Sequence, residues 1–237
     1  MKFHLVRFSE NGRGQSIGPF SPEMLESKRM GANMNNQSID HSENNENSSS
    51  RTARPHGPWV IHDTKPIYRD SYIHVWRDDV TRPDQRPGQH VVVEMKPGVC
   101  VIPMDEQGNV TLTSEFHYAI GMTSIEGVSG GIEPGEDAME TAKRELGEEL
   151  GLAADQWEFL AESNPFTTII RSPTQLYLAK ALTQIERNLE GTEIITPITM
   201  SIDEAVQAIT DGDITHAPTC VALLLIAQKH CSRVSER

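Results

Sequence analysis

Three glutamates of this chain, Glu145, Glu148 and Glu149, stand at i, i+3 and i+4 in a segment whose apolar residues Met139, Ala142, Leu146 and Leu150 recur at helical spacing. On a helix the three carboxylates share one face, beside the apolar stripe and not opposite it. With ~5–6 Å between neighbouring Cβ atoms, two such carboxylates repel by about 3 kcal/mol at an effective dielectric near 20, so a compensating cation is expected. Magnesium suits the arrangement, because it takes oxygen ligands in an octahedron and is held by a few carboxylates together with substrate phosphates. The same spacing also occurs on ordinary solvated helix faces. The surrounding residues decide between the two.

From Gly130 to Leu152 the sequence reads GGIEPGEDAMETAKRELGEELGL. Gly130, Glu136, Arg144, Glu145, Leu146, Glu148, Glu149, Gly151 and Leu152 fill the pattern GX5EX7REUXEEXGU, where U is a bulky aliphatic residue. In every one of these positions the segment resembles the Nudix box. That resemblance implies an α/β fold, a Nudix-type α/β/α sandwich around a mixed β-sheet, and hydrolysis of a nucleoside diphosphate linked to another moiety. It implies Glu145 and Glu149 as the main metal ligands, with Glu148 as a further one and Ser129 offering its backbone carbonyl. Arg144 would orient the acidic side chains, and Glu136 would support the loop and the arginine. Gly130 and Gly151 also have a backbone explanation, since tight turns and helix ends favour glycine. The metal would be Mg²⁺, with Mn²⁺ as a substitute. A base is expected from a loop after the box, where NLEGTEIITP offers Glu193 and, behind it, Glu190.

The elements that must position these groups are legible in outline. Order is expected from about residue 57, and Asn- and Ser-rich sequence before it cannot bury enough surface to offset its ordering entropy. Residues 1–56 therefore read as a disordered extension. WVIHDTKPIY, YIHVWRDDV, HVVVEM, GVCVIPMD and NVTLTSEF read as strands, with QGN as a hairpin turn between the last two. Residues 137–150 read as the amphipathic helix that carries the glutamates, with Gly151 as its stop. QWEFLAES and TQLYLAKAL follow as strands, and SIDEAVQAIT and APTCVALLLIAQKH as closing helices. Strands on both sides of a central helix, with helices at the end, predict a mixed sheet between helical layers.

Residues 57–97 form a small β-rich segment ahead of the box domain, 98–237. This segment resembles the front part of ADP-ribose pyrophosphatases and other nucleoside diphosphate sugar hydrolases, which implies a homodimer and a base-stacking role for Tyr72 and Trp76. An aromatic on a strand is more often part of a core or a dimer interface. Two features depart from those enzymes. Neither Pro165 nor Pro173 stands at the distance from Gly151 at which they often carry a proline, and TSEFHYA lacks the arginine of their QYR-like sequence. ADP-ribose is the first expected substrate, with GDP-mannose or a dinucleoside polyphosphate as alternatives. A non-catalytic nucleotide-sensing module is the alternative of another class. Against it, all the box glutamates are kept and no basic or helix-turn-helix segment accompanies the core.

Composition limits the partners. With 21 basic and 34 acidic residues the 237-residue chain has a formal charge of −13, which argues against nucleic acid or an anionic membrane as the main partner. The apolar run 221–227 is far too short to span a bilayer, and the N-terminus has no secretory apolar region, so a cytoplasmic location is expected. Cys100, Cys220 and Cys231 read as reduced thiols.

Overall fold

The computed structural model describes residues 6–7, 15–16, 53–189, 191 and 194–235, with 6–7, 15–16 and 230–235 as backbone only. Glu190, Glu193 and the Asn- and Ser-rich segment expected to be disordered lie outside the described residues. The chain divides into two units, Met1–Ser49 and Ser50–Arg237. In the first, β1 (Val6–Arg7) and β2 (Gln15–Ser16) pair antiparallel.

The second unit opens with β3 (Arg54–His56), β4 (Trp59–Arg69), β5 (Ile73–Thr81) and β6 (Pro87–Met95), an antiparallel meander. The ordered sheet thus starts just ahead of residue 57. Asp70 makes the β4–β5 turn by accepting the N–H groups of Tyr72 and Ile73, each at 2.8 Å. Next come β7 (Gly98–Pro103), β8 (Asn109–His117), β9 (Met122–Glu126) and β10 (Val128–Gly131). Helix α1 (Ala138–Leu150) is followed by β11 (Leu152–Ser163), β12 (Ile170–Arg171), β13 (Thr174–Gln184), β14 (Thr196–Ser201), α2 (Ile202–Asp211) and α3 (Ala217–Ser235). Ser201 starts α2 through a capping box with Glu204.

The central sheet has the order β10-β7-β13-β11, with β7 and β13 parallel and the outer pairs antiparallel. Period-two alternation along its two middle strands builds both cores. Val99, Val101, Tyr177 and Ala179 point to one face and pack with Ala142, Leu146 and Leu150 of α1. Cys100, Ile102, Leu176 and Leu178 point to the other and pack with Ala222, Leu223 and Ile226 of α3. Helix, sheet and helix are therefore layered as expected, and the sheet is mixed. A three-stranded sheet, β14-β8-β9, adds Val110 and Leu112 to the α3 side.

Strand β10 has no sequence signal of its own: VSGG is poor in strand-forming residues. It exists because β7 leaves an edge open, and Val128 to Gly131 pair there with Val101 to Gly98. Cys100 is buried, Cys220 partly so, and both are free thiols. Among the described residues no helix is long and apolar enough to cross a membrane.

Candidate active site

Helix α1 carries Arg144, Glu145, Glu148 and Glu149 in its second half. Asp137 starts it, its Oδ1 accepting the N–H groups of Met139 and Glu140 at 2.9 Å each. Gly151 ends it at φ 64°, the left-handed conformation that favours glycine. Burial of Ala142, Leu146 and Leu150 fixes the rotation of the helix, which brings Glu145 and Glu149 against β10.

Glu149 is only 5% exposed, and its Oε1 accepts the Ser129 N–H at 3.2 Å. The N–H and C=O of one strand residue point to the same side, so the Ser129 carbonyl is turned to the edge that Glu149 occupies. Glu145 lies flat against Gly130. A Cβ at that position would run into the Glu145 carboxylate, so any larger residue there would push that side chain out of place. The backbone reason for the first box glycine is thus a carboxylate pressed onto a strand.

Arg144 gathers the remaining charge. Its Nε donates to Glu136 Oε1 at 3.1 Å, and its Nη1 reaches Glu145 Oε1 and Glu148 Oε2, both at 2.8 Å. The guanidinium beside Glu136 holds that carboxyl down to about 2. Arg144 is in turn pushed above its ordinary value by Glu136 first, then by Glu145 and Glu148. The i to i+4 pair with Glu148 is therefore one part of a four-residue network.

Among the described residues no three carboxylate, imidazole or thiol groups form a finished metal cage. Glu145 and Glu148 turn to the Arg144 guanidinium, and Glu149 to the Ser129 N–H. Even so, the donor set is entirely hard oxygen, and two of its carboxylates already meet on one nitrogen at 2.8 Å. Such a set fits Mg²⁺ or Mn²⁺ and does not fit a thiophilic ion.

Arg187 escaped the sequence reading. Its Nε donates to the Glu149 carbonyl at 2.6 Å and its Nη2 to the Ile195 carbonyl at 3.0 Å. The last carbonyls of a helix lack partners and favour a cation. Helix α1 has no basic residue in its last turn, and that gap was the one sequence signal pointing to a cation from elsewhere. The chain on both sides of Glu190 and Glu193 is thereby tied to the C-terminal end of α1.

Tyr72 and Trp76 are separated by the structure. Tyr72, 71% exposed, lines a cleft of about 510 Å³ with Lys96, Ile132, Glu133 and Pro134, and the Lys96 ammonium sits 5.1 Å from its ring centre. The cleft thus borders the start of the box. Trp76 is half-buried and does not line it; its ring tilts over His74 at 4.8 Å and its N–H donates to Asp78 at 3.3 Å.

An α/β/α sandwich with an acidic helix set against a glycine-bearing edge strand defines a class of protein. A family model described as the NUDIX domain matches residues 94–219, more than half the chain, and the chain belongs to the Nudix family of hydrolases. Nudix hydrolases generally use divalent metal ions. The chain is 27% identical over 162 residues to a methanol dehydrogenase activator of Bacillus methanolicus, covering 68% of this chain and 88% of that one. It is 22% identical over 165 residues to the ADP-ribose pyrophosphatase of Bacillus subtilis (strain 168), covering 69% and 89%. The crystal structure of an ADP compounds hydrolase superposes with a TM-score of 0.63 at 20% identity, over 73% of this chain and 94% of that one, which supports the fold.

Proposed function

We propose that this chain is a magnesium-dependent pyrophosphohydrolase that cleaves the diphosphate of a nucleoside diphosphate sugar, ADP-ribose first, to AMP and ribose 5-phosphate. The observation that carries this reading is the set of α1 carboxylates packed onto β10, with Glu149 on the Ser129 N–H and Glu145 in the Gly130 cradle. Similarity to an ADP-ribose pyrophosphatase supports the choice of substrate.

In this reading Glu145, Glu149, Glu148 and the Ser129 carbonyl hold Mg²⁺, and Mn²⁺ replaces it. When bound, the ion neutralises the diphosphate, acidifies a water and stabilises the leaving phosphate oxygen. Arg144 keeps the carboxylates aimed before the ion arrives, and Glu136 fixes Arg144. Glu193, or Glu190 beside it, takes the proton of the attacking water, and Arg187 holds the flanks of their segment at the end of α1. Tyr72 offers a face for the base along the cleft beside Pro134, whereas Trp76 supports that strand from behind. Residues 1–56 are an extension, 57–97 a segment for base binding and homodimerisation, and 98–237 the hydrolase domain. The enzyme acts in the cytoplasm on a small molecule, without nucleic acid or membrane.

The test is incubation with ADP-ribose, GDP-mannose, UDP-glucose, NADH and a diadenosine polyphosphate, with Mg²⁺ or chelator, alongside Glu149→Gln. Metal-dependent release of AMP from ADP-ribose, lost in the variant, is the expected result. Turnover of a different member of the panel would replace the substrate. Tight metal-independent binding without turnover would replace the enzyme with a nucleotide sensor.

A further inference from the structure

A continuous chain of polar contacts leads away from Glu149 through Ser129. Ser129, whose N–H meets Glu149, donates its hydroxyl to the Gly127 carbonyl at 2.7 Å. The Gly127 N–H donates to Thr219 Oγ1 at 2.8 Å, and the same oxygen lies 2.8 Å from His216 Nδ1. His216 Nδ1 is 3.2 Å from Glu126 Oε2, and Glu126 Oε1 is 3.2 Å from His117 Nε2. Box strand and α3 are joined by this chain, through residues far apart in sequence that no part of the Nudix box contains.

Its chemistry is self-consistent. Nδ1 of His216 faces both a carboxylate and a hydroxyl, so a proton on Nδ1 lets both oxygens accept it, whereas a bare Nδ1 would leave two acceptors in contact. Burial lowers the His216 pKa against the pull of Glu126, and His117 adds to the lowering. Likewise His117 donates from Nε2 to Glu126. Thr219 is fully buried, and its hydroxyl also lies 3.7 Å from Cys100 Sγ, which can take its proton.

Gly127 is held from the other side as well. A Cβ there would stand 2.7 Å from Ile102 Cδ1, 2.9 Å from Cys100 Sγ and 3.0 Å from the Val101 carbonyl, so the backbone is pressed onto β7. With β7 behind it and Thr219 before it, the peptide leading to Ser129 has no latitude.

We propose that Thr219, backed by His216 and Glu126, is a positioning residue for the metal site: it fixes the Gly127–Ser129 backbone and thereby the direction of the Ser129 carbonyl. The inference rests on the reading of Ser129 as a metal ligand. Outer partners of this kind set ligand orientation, and their loss typically weakens metal affinity ~10- to 100-fold.

The experiment is Mn²⁺ binding to the full chain, read by electron paramagnetic resonance of the free ion, for the parent, Thr219→Val, Thr219→Ser, Glu126→Gln and Glu149→Gln. Thermal melting in chelator reports folding separately. Expected is a dissociation constant raised ~10- to 100-fold in Thr219→Val and restored to near the parent in Thr219→Ser, with Glu126→Gln between them. Parent-like affinity in a folded Thr219→Val overturns the proposal if Glu149→Gln still loses binding. Parent-like affinity in Glu149→Gln itself overturns instead the metal-site reading beneath it. Should Thr219→Val not fold, Glu126→Gln decides: unchanged Mn²⁺ affinity in that variant overturns the positioning role.

Discussion

The two faces of strand β7 are built to different ends. Toward α3 the strand presents Cys100 and Ile102 to Ala222, Leu223 and Ile226, an apolar interior whose buried hydroxyl, Thr219, is committed to hydrogen bonds. Toward α1 it presents Val99 and Val101, yet the helix beyond them also carries a 5% exposed carboxylate and an arginine shared among three glutamates. Burying charge costs free energy unless it is paired and hydrogen-bonded. The α1 face therefore keeps charge that is useful for chemistry, and the α3 face supplies apolar burial. Substitutions of the charged α1 residues and of the apolar α3 residues should separate activity from stability.

The sharpest separation is expected from Gly130→Ala. Its Cβ would collide with the Glu145 carboxylate, so Mn²⁺ affinity and turnover should fall by ~10- to 100-fold while the melting temperature in chelator changes little. Calorimetric titration alongside melting checks both halves, and an unfolded variant would break the contrast. On the opposite face Leu223→Ala removes a fully buried side chain and should cost about 2–5 kcal/mol in denaturant unfolding, with kcat per folded molecule unchanged.

Smaller effects should refine the picture on the α1 side. Arg187→Lys keeps the charge but cannot bridge the Glu149 and Ile195 carbonyls with its planar fork, and kcat should drop by about ten-fold with KM for metal nearly constant. Equal changes in both would assign Arg187 to the metal site instead. The smallest effect concerns acid. The folded-state pKa of Glu136 is depressed, so its contribution to stability is present above its ordinary value and is lost as pH falls toward about 2. Unfolding curves of the parent and Glu136→Gln should thus differ at neutral pH and converge in acid; a constant gap across that range would dissociate the arginine pair from stability.

Much of the α1 face could be read from sequence because its determinants are local. Helical spacing put Glu145, Glu148 and Glu149 on one side, while Asp137 and Gly151 marked the ends. The strands of the front segment and of the central sheet were likewise legible from their β-branched and aromatic runs. Strand β10 was not, since VSGG carries no strand preference and is recruited only by the open edge of β7. Nor was Arg187, whose partners are two backbone carbonyls created by the end of a helix and the start of a later strand. Tyr72 and Trp76 looked alike in sequence, four residues apart in one run. The β4–β5 turn exposes the first to a cleft beside Pro134, and the strand half-buries the second.

By itself the sequence determined the chemical class of the donors and their spacing, because a helix converts a short-range pattern directly into a shared face. Only the tertiary structure decided what those donors meet. Ser129, Gly130, Arg187 and Thr219 come from a strand edge, a loop and a distant helix. The contacts they make depend on how separate elements pack, which no local pattern of residues encodes.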